Sequence, residues 1–97
     1  MFKRHATGRA TALNFPNASR SFDPTRDRVR FWGYDRSLEI AFFVEGAVLR
    51  SSLPGTESRE ADLLRTFDRL LDRIHEAARV AYARDQRSAY VLTAEDL

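Results

Sequence analysis

No cysteine occurs in the 97 residues. Disulfides, thiolate metal sites and thiol redox chemistry are therefore closed to this chain, and secretion has no support from a disulfide framework. No apolar run approaches the roughly 20 residues that span a bilayer. The opening "MFKRHATGRA" carries basic residues with no apolar stretch to follow them, so neither a membrane partner nor a leader is expected, and the default location is the cytoplasm. Glycine is scarce. Gly8, Gly33, Gly46 and Gly55 stand apart, without the spacing of a Walker or dinucleotide loop, which excludes those phosphate cradles. Histidine appears only as His5 and His75, and Ser51 and Ser52 lie in no G-x-S-x-G elbow. Lysine appears once, as Lys3, against fifteen arginines.

What is present is the composition of a folded domain. Hydrophobic residues make up 43% of the chain and charged residues 31%, a balance that supports one core and a solvated surface rather than disorder. At this length a second independent core is excluded. Residues 1–10 show no periodicity and read as a flexible basic arm carrying Lys3, Arg4 and Arg9; residues 11–97 read as one domain. Charge is unevenly spread. Residues 1–36 hold eight basic side chains against three carboxylates, a net of +5, whereas residues 37–97 net −3. Such asymmetry suits an anionic partner or an oligomer whose ends attract.

Hydrophobic periodicity predicts the elements in order. "TALNF" alternates until Pro16 and reads as a short edge strand. "SFDPTRD" is a turn, in which Asp23 accepts from a following amide and Pro24 presets φ. "RVRFWGY" and "LEIAFFVE" then form a hairpin around "DRS", with Trp32 set opposite Glu39, Arg30 opposite Ala41 and Arg28 opposite Phe43. Val29, Phe31, Ile40 and Phe42 share the core face. "EGAVLRSSLPG" reads as a short helix burying Val48, Leu49 and Leu53, closed by Pro54 and Gly55. A long amphipathic helix follows, capped by Thr56, with Glu57 and Glu60 at its positive end and a stripe from Leu64 through Phe67, Leu71, Ile74, Ala78 and Ala81, ending near Arg84. "SAYVLTAEDL" closes the chain as a strand through Tyr90, Val91 and Leu92, then a turn capped by Thr93. The expected fold class is α+β: a small antiparallel or mixed sheet of three or four strands with the long helix packed across one face.

The series "LNFPNASRSFDPTRDRVRFWGYDRSLEIAFFVE", then "TFDRLLDRIHEAARVAY" and "YVLTAEDL", resembles the small bacterial proteins grouped as domain of unknown function 1488. The likeness runs from about Leu13 to Leu97, and "FPN", "SRSFD" and "VRFWGYD" carry most of it. What the resemblance implies is a compact bacterial α+β domain. It transfers no activity, cofactor or site residue.

Side-chain chemistry argues against an enzyme. A general base needs an oriented partner and a pocket. His75, mid-helix beside Glu76 and a turn from Asp72 and Arg79, reads as a partly exposed helix histidine. Asp68 and Asp72 at i, i+4 could gather with His75, yet Arg65, Arg69 and Arg73 interleave with them as a salt-bridged surface does. No cofactor or metal ligand set emerges. The notable feature is instead the polar face of the hairpin, where Arg28, Arg30, Trp32 and Phe43 form a candidate interaction face. Three occupants fit it: a second copy in a homodimer, nucleic acid approached with the help of the basic arm, or the chain's own Tyr90, short helix or Pro16–Phe22 loop. The expectation is a non-enzymatic binding or regulatory protein that self-associates, with nucleic-acid binding as the alternative. Glu39 and Glu45 on the same face, and the lack of any RNA-recognition, helix-turn-helix or zinc-finger spacing, weigh against the latter.

Overall fold

A computed structural model describes residues 13–16, 19–51 and 59–97. The basic arm with Lys3, Arg4 and Arg9 lies outside the described residues, as do Leu53, Pro54, Gly55, Thr56 and Glu57. The elements run β1 (Leu13–Asn14), β2 (Arg20–Asp23), β3 (Arg28–Asp35), β4 (Leu38–Glu45), α1 (Gly46–Arg50), α2 (Glu60–Arg69), α3 (Leu71–Arg84) and β5 (Ala89–Leu92). The five described strands form one mixed sheet in the order β1-β3-β4-β5, with β2 sharing the outer edge of β3 with β1. Only the β4–β5 pairing is parallel; the others are antiparallel.

Alternation along the strands decides the layers. Val29, Phe31, Ile40, Phe42, Val44 and Leu92 are at most 2% exposed and pack against Leu63 and Phe67 of α2 and Ile74, Ala78 and Tyr82 of α3. Aromatic rings tie the layers together. Phe31 stacks on Phe42 at 5.2 Å between centroids and meets Phe67 edge-on at 5.4 Å. Phe15 crosses the end of this core and lies parallel to the His75 imidazole, 3.9 Å away. That close crossing explains Gly33, where an added Cβ would stand 2.8 Å from the Phe15 ring. The α+β expectation holds, with more strands than foreseen.

Three local expectations are corrected. First, "SFD" is not only turn: Arg20–Asp23 forms β2 and pairs with Arg28–Phe31 before the chain reverses over residues 24–27. The turn chemistry itself is as read, since Asp23 Oδ1 accepts from the Thr25 amide at 3.0 Å. Second, the β3–β4 register is two residues from the expected one: Arg28 faces Glu45, Arg30 faces Phe43, Trp32 faces Ala41 and Tyr34 faces Glu39. A two-residue loop, Arg36–Ser37, extends the ladder to Asp35 and Leu38, with Arg36 taking φ of 61° at the position where a II′ turn needs a positive value. Third, the long helix is broken at Leu70 (φ −98°, ψ 12°). There the Leu70 amide is shared between the Thr66 and Phe67 carbonyls at 3.0 and 3.1 Å, and Thr66 Oγ1 donates back to Asp62 O at 2.9 Å, a bond that bends helices.

The loop between β2 and β3 is locked to α1. Asp27, with φ of 53°, accepts from the Gly46 amide at 2.8 Å through its carbonyl and from the Arg50 guanidinium at 2.8 and 2.6 Å through its carboxylate. Arg20 reaches across the layers to Asp68 with two bonds of 2.9 and 2.8 Å. Asp68 is therefore committed to β2 rather than to its own helix.

Candidate interaction face

The helices cover one side of the sheet. The other side carries Asn14 from β1, Ser21 and Asp23 from β2, Arg28, Arg30, Trp32 and Tyr34 from β3, Glu39, Ala41, Phe43 and Glu45 from β4, and Ala89 and Val91 from β5. All four expected residues, Arg28, Arg30, Trp32 and Phe43, thus stand on one surface, as the unchanged side-chain period of two requires despite the corrected register. Arg28 lies across β3–β4 from Glu45, while Arg30 and Phe43 are direct cross-strand neighbours.

No described residue lies over this face as a second layer. Tyr90 is on the opposite side, stacked on Phe42 at 5.2 Å with its hydroxyl donating to the Asp85 carbonyl. It does not cover Trp32. Instead the two arginines fold down onto the rings: the Arg28 guanidinium sits 3.8 Å from the Phe43 centroid, and Arg30 sits 4.8 Å from Trp32 and 5.9 Å from Phe43. Such contacts contribute about 0.5–1 kcal/mol at exposed sites. They do not neutralise the charges. Among the described residues neither arginine, nor Glu39 nor Glu45, makes an ion pair, and Arg28 Nε is buried without an acceptor. Ala41, Ala89 and Val91 belong to this face as well, which sequence reading did not single out. Val91 is 46% exposed, an apolar side chain continuing the surface beyond Phe43.

The titratable groups elsewhere are structural in character. Burial, and then the Arg79 charge, hold the His75 imidazole below its ordinary value, with Asp72 opposing. Its contact with Phe15 makes it a packing residue more enclosed than a helix-surface histidine. The Tyr82 hydroxyl donates to Asp35 Oδ2 at 2.5 Å, and this bond together with burial pushes the phenol up to about 12. Among the described residues no group of three histidine, cysteine or acidic side chains is placed to hold a metal ion, and no helix is long and apolar enough to cross a membrane.

Residues 13–92 match the family described as "Protein of unknown function (DUF1488)". A crystal structure of a protein of unknown function from that family, from Shewanella loihica PV-4, superposes with a TM-score of 0.72 at 14% identity, covering 84% of this chain and 91% of that one. At that identity the likeness is one of fold. No curated protein matches the chain.

Proposed function

Since the chain belongs to the DUF1488 family of proteins of unknown function, we propose from its own surface chemistry that it is a non-enzymatic binding or regulatory protein that associates with itself through the face of Arg28, Arg30, Trp32 and Phe43. The observation that carries this reading is a sheet covered by helices on one side, whose outer side bears an indole, a phenyl ring and an exposed valine among charges of both signs that make no ion pair among the described residues. Trp and Arg are the residues most enriched where truncation weakens an interface. Opposite charges on one surface favour a second copy over a polyanion, because a twofold lets each sign meet the other.

Nucleic acid is the second reading, supported by guanidinium groups already stacked on aromatic rings, the combination a single strand exploits. Glu39 and Glu45 stand on that same face and oppose it.

Light scattering on the wild type and Trp32→Ala, at low and high salt, tests the reading. A dimer that survives high salt and dissociates in Trp32→Ala is the expected result. A wild type that stays monomeric in both buffers would overturn it, and steeply salt-dependent binding of a single-stranded oligonucleotide would then favour the second reading.

A further inference from the structure

Resting on that self-association, we infer the symmetry of the pair: the twofold axis runs parallel to the strands, midway between β3 and β4, and seats each Trp32 on Ala41 and Ala89 of the other copy. An axis so placed exchanges β3 with β4. Every β3 and β4 side chain on the face then meets its own cross-strand neighbour in the second copy, so the register of the hairpin dictates the contacts.

Each row of that register is complementary to itself. Trp32 stands beside Ala41, and Ala41 beside Ala89, so the largest side chain of the face adjoins a notch of two small ones. The exchange drops the indole into the notch, twice. Arg28 stands opposite Glu45, and neither has an ion-pair partner among the described residues. The same operation gives each a counterion in the second copy, and the buried Arg28 Nε sits beside the carboxylate it lacks. Sheets packed face to face stand about 10 Å apart with strands nearly aligned, which this axis permits.

Axes that cross the strands are poorer. Centred on the Trp32 row, such an axis sets indole on indole and alanine on alanine, leaving a void beside a clash. Centred half a step toward Arg30, it sets Glu45 on Glu39. Only the strand-parallel axis satisfies size and charge together.

The test uses mixing. Arg28→Glu and Glu45→Arg are each expected to weaken their own homodimer by about tenfold or more, because the twofold repeats every like-charge contact. Mixed one to one, the two variants restore both ion pairs, and native mass spectrometry should show a heterodimer of wild-type affinity. An ion pair confined to one chain would gain nothing from mixing. Ala41→Phe is the second variant: it fills the notch, touches no core residue, and should also raise the dissociation constant about tenfold or more with circular dichroism unchanged. A wild-type dimer with no heterodimer rescue, or one indifferent to Ala41→Phe, overturns the axis while leaving self-association standing. A wild-type monomer overturns both.

Discussion

Tyr82 shows how one hydroxyl gives the fold a pH dependence. Its phenol is pushed up to about 12, first by the bond to Asp35 and then by burial, whereas an unfolded chain releases that proton near 10. The contribution is therefore whole below pH 10 and falls away as pH rises through about 12. Urea denaturation at pH 7 and pH 11 should show the wild type losing stability that Tyr82→Phe does not lose. At pH 7 the variant should be weaker by about 1.5–3 kcal/mol, the scale of a hydrogen bond to a charged group. Gly46 constrains by absence. An added Cβ would stand 2.5 Å from Asp27 Oδ1 and 2.9 Å from the Asp27 carbonyl, and the second of these atoms belongs to backbone held by the Gly46 amide itself. Gly46→Ala is expected to cost about 1–3 kcal/mol in the same assay, as overpacking does. A loss under half a kcal/mol would mean that the α1 junction yields.

Among the elements, those with strong periodicity were legible and those defined by turns were not. Val29, Phe31, Ile40 and Phe42 announce β3 and β4 and their common core face. Their register stayed hidden because a slip of two residues leaves every side chain on its own face, so the apolar pattern is blind to it. The turn settles the register, and Arg36 takes its positive φ without the glycine or asparagine that marks such a loop. β2 was missed because Phe22 is its only apolar residue. The break at Leu70 was missed because the paired apolar residues Leu63–Leu64, Leu70–Leu71 and Ala77–Ala78 recur every seven positions with no glycine or proline between. What binds β2 to α2 is also unreadable from spacing: Arg20 and Asp68 lie 48 residues apart. With side chains 30% and 50% exposed, the pair is open to solvent, and Arg20→Ala should cost no more than about 1 kcal/mol by denaturant titration. A larger loss would mean that Arg20 supports β2 through its aliphatic stem.

At the scale of the whole molecule, asymmetry is the main property. One side of the sheet has a helical layer and a closed aromatic core, and the other has rings topped by arginines. Membership of the face was readable from period two, so Arg28, Arg30, Trp32 and Phe43 were found together. The alanine notch was not, because smallness gives no signal until Trp32 is known to adjoin Ala41 and Ala89. If the indole is the anchor, dissociation by Trp32→Ala should lower the monomer's melting temperature by no more than about 4–8 °C, the scale of the lost contact with Arg30, since Trp32 is not among the side chains packed on the core; a larger joint loss of fold and dimer would assign it to internal packing.

The parallel pairing of β4 with β5 also sets an order in time. β2, β3 and β4 are neighbours in sequence and close over short loops, but residues 46–88 separate β4 from the strand that completes its other edge. Closing that interval carries the loop entropy of a distant contact, so the three-stranded meander is the natural nucleus and the last strand arrives late. While the ribosome makes the intervening helices, the nascent chain presents β4 with unpaired backbone amides and Phe42 without its Tyr90 lid. That interval is when the chain is most exposed to capture by a chaperone or by another nascent copy.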